Sequence, residues 1–136
     1  MSIAERISPL VGRLLFVWYF GAQAIGWSDD WAASVAYFTL KGVPAPSVLL
    51  ALVIVIQVLG AISLLLGFRA KQGALMLFAF EIAAAMMFHD YWTLTGGARE
   101  ATFELFARNL AIAGGLLMIV GLGAGPFAMD NANKRR

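Results

Sequence analysis

The sequence predicts an all-α fold, a four-helix transmembrane bundle with a short interfacial helix between its first two spans. Three observations carry this. Hydrophobic residues make up 61% of the 136 and charged residues only 13%, against about 45–50% and about 25% in soluble domains. The mean hydropathy is +0.80. Four apolar stretches, at about 8–27, 48–66, 74–92 and 102–122, are each long enough for a helix crossing ~30 Å of hydrocarbon, which takes roughly 20 residues.

Met1 to Arg6 reads as a short polar lead, with Pro9 in a first helical turn that tolerates it. The first span follows. Its apolar run is too long for a signal-peptide core and has no evident small-residue cleavage site, so it reads as retained. Arg13 lies near its start, where a long side chain reaches toward the interface, and Gly21, Ala22 and Gly26 offer small surfaces for a neighbouring helix.

Charges return at Asp29, Asp30 and Lys41, while Trp27, Trp31, Tyr37 and Phe38 keep the segment partly apolar. Residues 31–40 therefore read as a helix lying at headgroup depth, ended by Gly42, Pro44 and Pro46. The second span is interrupted by Gln57, and the turn Gly67 to Lys71 leads into the third. That span, LMLFAFEIAAAMMFHDYW from Leu75 to Trp92, carries Glu81 mid-way and His89 and Asp90 near its end. Gly96 and Gly97 read as breakers. The fourth span stops at Gly123, Gly125 and Pro126, before a polar tail.

An even number of spans puts both termini and the central turn on one side. Arg6, Arg69, Lys71, Lys134, Arg135 and Arg136 gather there, against Lys41 and Arg99 opposite, so the positive-inside rule makes that side cytoplasmic. Bacterial inner membrane is the expected location, with the lipid bilayer as the first partner.

Ionisable groups are costly in lipid and need partners. An antiparallel hairpin centred near Arg69 sets Gln57 level with Glu81, both about 15–18 Å of helix rise from the turn, and Arg13 lies within reach. Arg13, Gln57 and Glu81 thus form one expected buried polar set, read as fixing helix register. The hairpin at Gly96–Gly97 sets His89 and Asp90 level with Glu104, with Arg108 one turn deeper. His89, Asp90, Glu104, Arg108 and Asn109, with Gln23, Trp27 and Trp92, form a second set around an outward pocket. For this set a ligand site and an interfacial anchoring role are both open, since Trp commonly marks the membrane boundary.

Several classes are excluded or disfavoured. With no Cys, thiol catalysis, disulfides and thiolate clusters are absent. A net charge of +2 is too small to point to nucleic acid. One His among dispersed carboxylates lacks metal-ligand spacing, so no metal is expected.

Gly42-Val43-Pro44-Ala45-Pro46, Leu64 to Arg69, Phe88-His89-Asp90-Tyr91-Trp92, and Arg108-Asn109-Leu110-Ala111 before Gly114-Gly115 resemble the DoxX family of small membrane proteins. Met129-Asp130 is similar to that family's closing Leu-Asp. The resemblance implies a four-helix bundle and, for some relatives, a small subunit of thiosulfate:quinone oxidoreductase. Many relatives carry a Lys near Ala24 and a Glu where this chain has Gln57, so two ionisable positions are neutral here. His89, Asp90, Arg108 and Asn109 match the family motif.

The expected function on this resemblance is a subunit or accessory of a membrane redox complex binding a quinone or similar amphiphile, with a redox protein as partner. His89 would then hydrogen-bond the ligand oxygen, Asp90 would set the His89 tautomer and Arg108 would stabilise developing negative charge. The alternatives are a non-enzymatic scaffold or assembly factor, or a small-solute carrier, which at this length would need a homo-oligomer.

Overall fold

The computed structural model describes residues 1–132. It is all-helical among those residues: α1 (Ile3–Asp29), α2 (Trp31–Leu40), α3 (Pro46–Leu66), α4 (Ala70–Phe88), a single 3₁₀ turn (Tyr91–Thr93), α5 (Gly96–Leu122) and α6 (Met129–Ala132). Three helical segments are long and apolar enough to cross a membrane, Pro46–Leu66, Ala70–Thr93 and Gly96–Leu122. The first helix falls short on hydropathy, because Arg13, Tyr19 and Gln23 dilute its apolar run. Lys134, Arg135 and Arg136, counted above for orientation, lie outside the described residues.

Local chemistry sets the ends. Residues 1–6 are not a loose lead: the Ser2 hydroxyl accepts from the Glu5 amide at 3.2 Å while Glu5 accepts from the Ser2 amide at 2.6 Å, a reciprocal cap that starts α1 at Ile3. Pro9 consequently sits inside the helix rather than in its first turn. Gly96 and Gly97 do not break the chain either. They open α5, with Gly96 at φ +62° making the turn into it.

α1 packs on α3, α3 on α4 and α4 on α5, and the Phe16 ring lies against Gly115 to bring α1 and α5 together. One core of Phe20, Leu64, Ala74, Leu77 and Leu116 runs through these helices. The close approaches are at Gly60, where a Cβ would meet the Leu77 side chain at 2.5 Å, and at Gly73, which faces Ser63. Gly21 and Gly26 instead face open space; small-residue spacing marks a smooth face, not which partner covers it.

Large apolar side chains cover the outside of the helices, and several polar ones are buried. Arg13, Gln57, Glu81 and Asn109 are buried, while Leu14, Leu15, Trp18, Val55, Leu59, Ile62 and Met118 are exposed. An apolar exterior, with a few polar side chains held among the packed helices, suits lipid.

At the α3–α4 turn the chain's last described segment folds back. Gly67 (φ +63°) and Arg69 (φ +48°) make the turn, and the Asp130 carboxylate accepts from the Arg69 and Ala70 amides at 2.8 and 2.9 Å, capping α4. Arg13 Nη2 donates to the Phe127 carbonyl at 2.8 Å. Arg13 thus ties α1 to this segment; it was expected beside Gln57 and Glu81, and depth arithmetic without the returning chain had no other partner to offer it.

Candidate functional site

At the opposite end of the helices a cavity of about 190 Å³ opens between α1, α2, α3, α4 and α5. Its floor is Gln57 from α3 and Glu81 from α4, 2% and 1% exposed. Gln57 and Glu81 sit on facing helices, as their equal distance along the chain from Arg69 in the turn requires. Tyr19, Gln23 and Trp27 come from α1 at steps of four residues, one helical face. Phe80, Ala84 and Phe88 do the same from α4.

α2 roofs the cavity with Tyr37 and Phe38. Trp27 stacks on Tyr37 (6.0 Å between centroids) and Tyr37 on Phe88 (5.6 Å), with Phe38 tilted against Phe88 at 4.9 Å. The Ser34 hydroxyl donates to the Trp27 carbonyl at 3.0 Å, fastening α2 across the end of α1. His89, Arg108 and Asn109 complete the lining.

Hydrogen bonding within the cavity is incomplete. Glu81 Oε2 and Gln57 Oε1 are buried with no partner, and each such atom costs about 1–3 kcal/mol. Glu81 and Arg108 line the cavity together with Tyr19 and Gln23. No ion pair joins Glu81 to Arg108 among the described residues. On α2, burial raises the Tyr37 phenol above its usual range, and the Asp90 carboxylate adds to the shift.

The two polar sets read from the sequence are therefore divided differently. His89, Arg108, Asn109, Gln23 and Trp27 line the cavity, and so do Gln57 and Glu81, which were assigned to a separate structural set. Asp90 turns away to Lys41, at 3.6 Å, and accepts from the Thr93 hydroxyl at 3.1 Å. Trp92 packs edge-on to Tyr91 and Phe106 outside the cavity, and Glu104 is exposed on α5 and does not line it. The physical reason is common to Asp90 and Trp92: α4 ends at Phe88, so the 3₁₀ turn redirects residues that a continuous helix would have aimed inward. Tyr19, Tyr37, Phe38 and Phe80 were missed. The four-residue spacing of Tyr19, Gln23 and Trp27 was the available signal.

The family model that matches the chain is that of the SURF4 family, over residues 45–136. Inner membrane protein YqjF of Escherichia coli (strain K12) is 29% identical over 130 residues, 96% of this chain and 95% of that protein. Inner membrane protein YphA of the same organism is 27% identical over 127 residues, 93% and 91% of the two chains. ER-derived vesicles protein ERV29 of Saccharomyces cerevisiae is 28% identical over 81 residues, 60% of this chain but only 26% of that longer protein. No solved structure matches.

These findings correct the DoxX resemblance. The Phe88 to Trp92 and Arg108 to Ala111 elements that suggested it lie inside the SURF4 match, and the redox subunit and quinone ligand that the resemblance implied lose their support with it. The match takes in α3, α4 and α5, more than half of a multi-pass membrane protein, and the chain belongs to the SURF4 family.

Proposed function

We propose that the chain is a non-enzymatic scaffold of a bacterial inner membrane, spanning it four times with both termini in the cytoplasm and holding a partner's polar group in the cavity at its outer end. The observation that carries this is the pair of buried, unpartnered acceptors, Gln57 Oε1 and Glu81 Oε2. A fold does not retain two such atoms in an apolar setting without cost, and a bound donor removes that cost. The lining contains no Ser, Thr or Cys nucleophile, which favours holding over turnover.

Four spans are supported by α1 itself. Its 27 residues rise about 40 Å, with Val11, Leu14, Leu15, Trp18 and Ile25 exposed on the outside and Arg13, Phe20 and Ala24 buried. Arg6, Arg69 and Lys71 mark the cytoplasmic end. Two relatives named as Escherichia coli inner membrane proteins favour that membrane, and the ER-derived vesicles protein among the relatives favours membrane organisation over redox chemistry.

The test fills the cavity. Ala84→Phe and the parent are extracted side by side in copolymer nanodiscs, folding is checked by circular dichroism, and bound molecules are identified by mass spectrometry. The parent is expected to carry a partner that the filled variant lacks. Identical contents in both would refute the scaffold reading.

A further inference from the structure

The cavity is polar in a particular order. Its buried floor carries two unpartnered acceptors, Gln57 Oε1 and Glu81 Oε2, beside the amide nitrogen of Gln57, while Arg108, a permanent cation and exposed, lines the same cavity from α5. Glu81 and Arg108 line the one cavity with Tyr19, without pairing with each other. An acidic group and a cation that line one cavity without pairing leave room for a group that meets both. The space, about 190 Å³, is below the ~300–1,000 Å³ of sites for drug-sized ligands.

We propose that the cavity binds a compact zwitterion, its primary ammonium donating to Glu81 and Gln57 and its anionic group accepting from Arg108. The proposal rests on the scaffold reading and names the chemistry of what is held. Both orphaned floor atoms are acceptors, so the cation must carry N–H groups; a quaternary ammonium satisfies neither. Two sources supply this chemistry, an aminophospholipid headgroup and a free amino acid or amino phosphate. Gln23, Trp27 and Tyr37 also line a groove between α1 and α2 with Gly26 and Ser34.

The test uses the full chain in detergent with O-phosphoethanolamine, phosphocholine, ethanolamine and glycine as titrants. It also uses the full chain in nanodiscs of mixed phosphatidylethanolamine and phosphatidylcholine, read by native mass spectrometry. Phosphoethanolamine is expected to bind at least about ten-fold tighter than phosphocholine, a factor matching one lost charge-assisted hydrogen bond. Glu81→Gln should lose that preference. Arg108→Gln should weaken phosphoethanolamine while leaving ethanolamine, which lacks the anion, unchanged. Retention of phosphatidylethanolamine in nanodiscs identifies the lipid source; binding of glycine or phosphoethanolamine without lipid retention identifies the soluble one. If Glu81→Gln fails to fold, Gln57→Leu, which removes the other acceptor, reads the same preference. Equal affinity for phosphocholine and phosphoethanolamine, or no binding of any zwitterion in either format, overturns the proposal. A non-zwitterionic partner found in the parent's nanodiscs would do so while leaving the scaffold reading standing.

Discussion

Replacing the cavity floor with leucine should make the empty protein more stable. Glu81 and Gln57 each bury one oxygen without a partner, and Leu is close to both in volume, so Glu81→Leu and Gln57→Leu remove an unsatisfied acceptor without opening a hole. Each orphaned atom costs about 1–3 kcal/mol, and a water molecule inside the cavity would recover part of it. The expected gain is therefore about 1 kcal/mol or more for each single variant. For the double variant it should be less than the sum, because the two side chains line one cavity. Reversible unfolding in mixed detergent, on protein stripped of bound lipid, measures this. A register-fixing role for Glu81 predicts the opposite sign, since removing one partner of a buried pair costs about 3–5 kcal/mol. Losses in both single variants would show that the two side chains are satisfied within the fold, and would remove the ground for a ligand.

Gly67→Ala should destabilise by about 2–4 kcal/mol. It forces a left-handed residue to carry a Cβ, a cost of about 1 kcal/mol, and drives that Cβ toward Arg13 and to 2.5 Å from Ala128 Cβ. Gly114→Ala, whose Cβ would meet nothing within 4 Å, should instead gain up to about 1 kcal/mol, and parallel melts compare the two. A double-mutant cycle of Arg13→Met with Glu81→Leu should be additive within about 0.5 kcal/mol, because Arg13 is engaged with Phe127; a larger coupling would restore the Arg13–Glu81 pair. Asp130→Asn should cost about 1 kcal/mol through weaker capping of the Arg69 and Ala70 amides, seen as faster amide exchange at the start of α4.

Composition and hydropathy determined the class of this protein. Apolar runs of span length admit a helical membrane protein and little else, because lipid leaves backbone groups no partner outside the helix itself. Helix α2 was legible to the residue, 31–40, since turn chemistry and aromatic content are local signals. The facing of Gln57 and Glu81 was legible as well, because one hairpin turn sets their relative depth. The tertiary structure decided what local signals cannot carry. Arg13 is committed by a hydrogen bond to Phe127, 114 positions away, and the end of α4 at Phe88 turns Asp90 toward Lys41 rather than into the cavity. The union of the two polar sets into one cavity depends on α1 and α5 approaching through Phe16 and Gly115 while α2 folds over their outer end. Depth along a helix follows from counting residues, but rotation about the helix axis is set only when neighbouring helices pack, and rotation decides which polar groups share a space.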